Sequence, residues 1–339
     1  MGNDRLIDSD EISEDFPTEI SLRPRNFSEY VGQERIKQTL SIAIRAAQKR
    51  VESLDHVLLY GPPGLGKTTL ANVIAHEMKT DIKVTSGPAI EKAGDLVAIL
   101  TRLQKGDILF IDEIHRLNKV SEEVLYSAME EYRVSWVIEQ GLKARSVNLG
   151  IQPFTLIGAT TKYGKLSPPL RDRFGSIFRL NFYTDPEMTT ILKRSSNIFK
   201  VKTEQEGLEQ IAKRSRKTPR IGNRLLRRVR DFSEIESNGI INLDVVINAL
   251  DQLEVDSIGL DKIDIDFLNS LIVKFGGGPV GLDTLSASIN EDTGTVEDVI
   301  EPFLLNLGFI SRTNRGRIAT NLAYEHLGIE IDPKQGNLI

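Results

Sequence analysis

The sequence predicts an α/β protein with a parallel-sheet domain in its first half, then a small helical domain, then a helical domain that ends in a β-hairpin. Three observations carry that prediction. Residues 21–182 alternate short apolar runs with helical patterns, as the βα units of a parallel sheet do. Residues 183–254 hold helical patterns without strand runs. Residues 258–331 read as helices followed by two short β-prone runs across a turn. A chain of 339 residues also exceeds what one core usually organises, which fits this division.

Within residues 21–182, strands are expected at 56–60, 108–111 and 154–158. A helix is expected at 67–78, where Leu70, Val73, Ile74 and Met78 form one apolar stripe. Between residues 134 and 151 the apolar positions alternate on two arms, Val134, Trp136, Ile138 and Val147, Leu149, Ile151, across a turn near Gln140-Gly141. Period two on both arms predicts a β-hairpin. In the last domain a helix is expected at 295–307, then a second hairpin with strands 309–312 and 317–320. Residues 1–20 carry Asp4, Asp8, Asp10, Glu11, Glu14, Asp15 and Glu19 against Arg5, which reads as an acidic N-terminal arm rather than a signal peptide.

Composition narrows the chemistry. With 40% hydrophobic and 27% charged residues the chain is an ordinary globular protein. The absence of cysteine removes disulfides, thiolate catalysis and zinc-thiolate sites, and fits a cytoplasmic location. No apolar run is long enough to span a bilayer, so no membrane partner is expected. The net charge of −5 argues against nucleic-acid binding by the chain as a whole, which leaves the distribution of charge to decide.

The segment Gly61-Pro-Pro-Gly-Leu-Gly66-Lys67-Thr68 fits the pattern of a phosphate-binding loop, set between an apolar strand and an amphipathic helix. Gly64 and Gly66 let backbone N–H groups curl around phosphate oxygens, and the helix start adds its dipole. Lys67 can reach the β- and γ-phosphates of ATP, and the Thr68 hydroxyl can ligate Mg2+. Ile108-Leu-Phe-Ile-Asp112-Glu113 ends an apolar run in two acids at the ligand-binding edge of a sheet. Asp112 suits the magnesium shell, through water, and Glu113 suits polarising the attacking water. His115 reads as structural. The run 154–161 ends in Thr160-Thr161, hydroxyls placed to contact the γ-phosphate or the water. Pro168-Pro-Leu-Arg171-Asp172-Arg173-Phe174 offers an arginine finger in this context, and Thr218-Pro219-Arg220 opens a helix from which Arg220 could reach the phosphates.

Together these elements resemble the AAA+ ATPases: a parallel-sheet ATPase domain, a small helical lid and a winged helix. From Leu22 to Leu327 the chain is similar to one family, the RuvB motors of bacterial Holliday-junction branch migration. The likeness rests on Leu22-Arg-Pro, Tyr30-Val-Gly-Gln, the phosphate loop, Thr85-Ser-Gly-Pro, Phe110-Ile-Asp-Glu-Ile-His-Arg-Leu-Asn, Gln152-Pro-Phe-Thr-Leu-Ile-Gly-Ala-Thr-Thr, Lys213-Arg-Ser-Arg-Lys-Thr-Pro-Arg, Arg224-Leu-Leu-Arg-Arg-Val-Arg-Asp and Gly277-Gly-Pro-Val-Gly-Leu. The resemblance implies that Leu22, Arg23, Tyr183 and the backbone near Glu130, Glu131 and Tyr132 contact nucleotide. It implies that Gly64, Lys67, Thr68 and Thr69 hold phosphate and magnesium. Thr161 is then the first sensor, Arg220 the second, and Arg173 the finger that acts on a neighbouring subunit's ATP. It further implies a homo-hexameric ring around duplex arms of Holliday-junction DNA, docking on RuvA, and a link to the resolvase RuvC through the assembled complex.

Two regions bear on partners. By resemblance, the hairpin carrying Trp136, Val137 and Ile138 docks on RuvA, although Glu139-Gln-Gly-Leu-Lys departs from the family's Gly-Pro turn. From residue 258 onward six basic residues face twelve acids, and the expected helix 295–307 carries Glu297, Asp298 and Glu301 without a base. Such a helix should be repelled by phosphates, whereas Arg312, Arg315 and Arg317 of the hairpin can track a backbone. Arg312 and Arg317 match the family's DNA-contact positions. Residues 213–230 hold nine basic residues and no acid, which favours nucleotide and inter-subunit contacts over DNA given their place around Arg220. A clamp-loader-type remodeller is disfavoured by the basic hairpin, and a non-catalytic adaptor by Glu113 and Arg173.

Overall fold

The computed structural model describes residues 22–137 and 146–330. The acidic arm, Ile138 and the hairpin turn that departs from the family pattern lie outside the described residues. The chain folds as two compact units, one ending at Ile191 and the other beginning at Leu192.

The first unit is built on strands β1 (Val57–Tyr60), β2 (Ile82–Ser86), β3 (Ile108–Asp112), β6 (Thr155–Thr160) and β7 (Ser176–Arg179). They form one all-parallel sheet in the order β2-β3-β6-β1-β7. The central strands β1 and β3 are mostly apolar and buried, as strands inside a parallel sheet are, and every residue of β6 is buried. The edge strands β2 and β7 carry polar residues, as one-sided burial allows. The helix Lys67–Met78 has the bounds its apolar period predicts and buries Leu70, Val73, Ile74 and Met78. The helix Lys119–Glu131 starts at Asn118, whose side chain accepts from the Ser121 amide at 2.9 Å.

After that helix, β4 (Arg133–Val137) pairs antiparallel with β5 (Ser146–Gly150). The register sets Val134 opposite Leu149 and Trp136 opposite Val147, so the period-two arms pair as a hairpin requires.

In the second unit, Gln205–Arg214, Pro219–Glu236 and Leu243–Gln252 form the helical part. The expectation of no strands there needs correction, because β8 (Lys202–Thr203) pairs in parallel with β9 (Ile240–Ile241). A pairing two residues long is too short to leave a sequence period. Beyond it, Leu260, Phe267, Leu271, Ile300, Leu304 and Tyr324 form a separate core. The helix expected at 295–307 is not uniform: a π turn over Val296–Ile300 precedes an α segment, Glu301–Asn306. Pro302 in the first turn of that segment supplies no amide to the helical ladder, which fits the widened turn before it. The hairpin strands β10 (Ile310–Thr313) and β11 (Gly316–Ala319) are each shifted one residue toward the turn from the expected bounds. Thr313 and Gly316 pair with each other, leaving a two-residue turn, Asn314-Arg315.

Candidate active site

Strands β3, β6 and β1 lie side by side, so residues far apart in sequence emerge at one sheet edge. β1 ends in the glycine loop. Gly61 has φ +147°, and a Cβ there would stand 2.7 Å from the Leu180 carbonyl oxygen. Gly66, with φ +91°, turns the loop into the helix that Lys67 opens. Lys67 is buried, and its Nζ donates to the Gly61 and Pro62 carbonyls at 2.9 Å each. Thr68 donates through Oγ1 to Asp112 Oδ2 at 3.3 Å, which ties the loop to β3. Tyr183 is buried and its hydroxyl lies 3.3 Å from both the Leu65 carbonyl oxygen and the Tyr30 hydroxyl. Burial pushes the Tyr183 hydroxyl up to about 12 and the Tyr30 hydroxyl well above its ordinary value, so both stay neutral.

At the end of β3, Glu113 adopts a left-handed conformation, φ +47°, unusual for a side chain of its kind. The Gly87 amide donates to the Asp112 carbonyl at 2.7 Å, and a Cβ on Gly87 would run into the Glu113 carbonyl oxygen. Thr161, just past β6, donates to Glu113 Oε2 at 3.4 Å. His115 Nδ1 stands 3.3 Å from the same oxygen and 2.9 Å from the hydroxyl of buried Thr160. Burial, then the neighbouring Asp112 charge, pushes the Glu113 carboxyl up, while Lys67 and Thr161 pull it back. A carboxylate with raised proton affinity is suited to accept a proton from a polarised water. Of the residues expected at the nucleotide site, Thr68 thus meets Asp112 and Thr161 meets Glu113, with Lys67 close enough to act on the Glu113 carboxyl.

Arg173 lies elsewhere in the first unit. Its Nη2 is 3.2 Å from Glu130 Oε1, its Nη1 donates to the Pro169 carbonyl at 2.7 Å, and its guanidinium lies 4.5 Å from the centre of the Tyr126 ring. Among the described residues its Nε is buried without a hydrogen-bond partner. Glu130 and Arg173, expected to serve nucleotide, are thus brought together, on contacts that include no phosphate-loop residue. Tyr132 turns its ring into the core, edge-on to Phe154 at 6.3 Å, which leaves its backbone for any contact. Leu22 is buried, Arg23 and Thr69 are half-buried, and Glu131 is exposed. Arg220 lies in the first turn of Pro219–Glu236, in the second unit. Of the hairpin residues, Trp136 and Val137 lie on β4 and Ile138 falls outside the described residues.

The wing corrects one expectation. Glu301, counted among the acids that would repel phosphate, is fully buried and holds both Arg312 and Arg317. Its two oxygens accept four hydrogen bonds of 2.6–3.0 Å from their Nε and Nη2 atoms. It is a paired internal charge rather than a surface one. Arg315 is exposed at the turn. The basic stretch 213–230 is likewise no single surface: Arg214, Arg216 and Arg224 are buried, and Arg216 pairs with Asp264. Arg214 and Arg224 face inward on their helices and Arg216 from the turn between them, and distant acids meet Arg214 and Arg216, Asp251 beside the first and Asp264 beside the second.

Sequence reasoning gave no role to Tyr30 or Gly87, although both fall in segments that carry the family likeness. It set His115 aside as structural, and it missed Glu301, whose partners lie 11 and 16 residues away.

Family models described as the Holliday junction DNA helicase RuvB P-loop domain, the RuvB AAA lid domain and the RuvB C-terminal winged helix domain match residues 22–180, 183–256 and 257–328. The chain is 55% identical over 334 residues to the Holliday junction branch migration complex subunit RuvB of Dehalococcoides mccartyi (strain CBDB1), covering 98% of this chain and 96% of that protein. Among solved structures, the Thermotoga maritima RuvB Holliday junction branch migration motor aligns at TM-score 0.83 and 51% identity, covering 92% of this chain and 100% of that one. A variant of the same Thermotoga protein aligns at TM-score 0.84 and 50% identity, covering 92% and 99%.

Proposed function

The chain belongs to the RuvB family, and on that premise we propose how its residues divide the work of an ATP-driven Holliday-junction branch-migration motor. The observation that carries the reading is the convergence of Lys67, Thr68, Asp112, Glu113 and Thr161 at the ends of three adjacent parallel strands. Lys67 exchanges two loop carbonyls for phosphate oxygens of ATP. Thr68 and, through water, Asp112 would hold magnesium, since a hydroxyl beside a carboxylate is the hard oxygen set that ion takes. When bound there, the ion would supply positive charge against the phosphates. Glu113 accepts the proton of the attacking water, and Thr161 sets the orientation of its carboxylate. Leu22, Arg23, Tyr183 and Thr69 line the nucleotide, and Arg220 reports its state to the lid. Arg173, beside Glu130, acts on the ATP of the next subunit in a ring of six.

The wing arginines Arg312, Arg315 and Arg317 track the phosphodiester backbone of duplex arms without reading bases, as a motor on arbitrary DNA must. The β4–β5 hairpin with Trp136, Val137 and Ile138 docks on RuvA, and RuvC joins through the assembled complex. No helix among the described residues is long and apolar enough to cross a membrane.

The test is ATP turnover and strand exchange on a four-way junction with RuvA. Wild-type protein converts junction to product in an ATP-dependent way, and Glu113→Gln binds ATP but turns it over at least a hundredfold more slowly. Hydrolysis by Glu113→Gln at the wild-type rate removes the base assignment, and failure of the wild type to migrate the junction removes the motor reading.

A further inference from the structure

Arg312 and Arg317 stand directly opposite one another on β10 and β11. Two like charges in register on paired strands repel, and a hairpin that carries them needs a counter-charge. Glu301 supplies it from the preceding helix. Its carboxylate is fully buried, while the Arg312 side chain is 50% exposed and that of Arg317 18%. Oε1 accepts from Arg312 Nε at 2.6 Å and Arg317 Nε at 2.8 Å; Oε2 accepts from Arg312 Nη2 at 2.7 Å and Arg317 Nη2 at 3.0 Å. The carboxylate is saturated. Each guanidinium is held by its Nε–Nη2 edge, and among the described residues its Nη1 makes no hydrogen bond. Burial alone would push the Glu301 carboxyl up, but the two arginines overcome that and hold it below its ordinary value.

We propose that Glu301 is a positioning residue for DNA: it fixes Arg312 and Arg317 side by side, so that their remaining edges form one two-armed clamp on a phosphodiester. The inference rests on the reading that the wing meets DNA. A planar guanidinium pinned along one edge has lost its rotamer freedom before a phosphate arrives, so less is lost on binding. The acid therefore assists binding to a polyanion, opposite to what its charge alone would do.

The sign of the effect is the test. Duplex DNA affinity of the full chain is measured by fluorescence anisotropy across a range of salt concentrations, with DNA-free ATP turnover and thermal unfolding as controls. Glu301→Gln removes one negative charge, so charge alone raises affinity; positioning lowers it, by about tenfold, and Glu301→Asp recovers part of the loss. The pair Arg312→Lys, Arg317→Lys keeps both cations beside the buried acid but cannot form the double fork. It weakens binding to a similar degree, which keeps the test decisive if Glu301→Gln unfolds the wing. Affinity of Glu301→Gln at or above wild type, or of the Lys pair equal to wild type, overturns the proposal. Arg312→Ala with Arg317→Ala tests the underlying reading separately: unchanged affinity there removes the wing from DNA altogether, whereas the expected loss lowers the slope of log K against log salt by about 0.9, for the one phosphate the clamp neutralises.

Discussion

His56 has both ring nitrogens committed. Nδ1 accepts from the Leu156 amide at 2.8 Å, and Nε2 faces the Met129 carbonyl oxygen at 3.2 Å, which fixes the neutral tautomer with its proton on Nε2. A second proton would set an N–H against the Leu156 N–H. Burial accordingly lowers the ring below its ordinary value of 6.5. Because the unfolded chain takes up that proton first, stability is intact above about pH 6.5 and falls as pH drops below it, until the folded ring itself protonates. This one group contributes a slope of at most about 1.4 kcal/mol per pH unit. His56→Asn, which keeps an acceptor for Leu156, should flatten that limb in chemical denaturation series between pH 7 and pH 5; an unchanged slope would locate the acid sensitivity elsewhere. At Gly87 the same kind of reasoning concerns space. A methyl group there meets the Glu113 carbonyl, so Gly87→Ala should displace the base, lowering kcat at least tenfold while nucleotide affinity, set by the Lys67 loop, stays within a few-fold. Equal losses of kcat and affinity would show a wider collapse.

At the scale of elements, the turn between helices Gln205–Arg214 and Pro219–Glu236 holds two successive left-handed residues, Arg216 and Lys217, at φ +51° and +57°. The Arg216 side chain anchors that turn to the last domain. It pairs with buried Asp264, donates through Nε to the Gly259 carbonyl at 2.9 Å, and lies over the Phe303 ring at 4.6 Å. Removing one partner of a buried pair costs more than the pair contributes, since a charge is stranded. Asp264→Ala should therefore destabilise the second unit by about 3 kcal/mol, at the low end for such pairs because Asp261 stands 3.8 Å from the same guanidinium. Denaturation curves for the two proteins check this, and a loss below about 1 kcal/mol would mean that solvent reaches the site.

For the whole molecule, the decisive question is whether one chain completes its own catalytic site. Arg173 is tethered to Glu130 and Tyr126 with its Nε buried and unmatched, and none of its contacts is a phosphate-loop residue. If it serves a neighbour's ATP, Arg173→Ala and Lys67→Ala proteins should each be inactive alone and should recover part of the turnover when mixed. Recovery requires interfaces that join an intact loop to an intact finger. Titrating one variant against the other and measuring ATP hydrolysis checks this, and a flat response at every ratio would return the finger to its own subunit.

What the sequence by itself determined is local. The 67–78 helix, the glycine loop, the run ending in Asp112-Glu113 and the period-two hairpin arms are written in spacings of a few residues, because backbone hydrogen bonding imposes its period on neighbouring side chains. Those motifs name the candidate reacting groups, and their order points to the family the comparisons show. Pairing two residues long, as at β8 and β9, leaves no such trace, and a turn chosen by Thr313 and Gly316 moved a hairpin by one position. Only the tertiary structure decided which groups became neighbours. The strand order β3-β6-β1 brought Thr161 to Glu113 across 48 residues. The wing set Glu301 beneath two arginines and turned an expected repulsion into a clamp, since a charge's effect depends on its burial and its partners, and neither is a property of the residue alone.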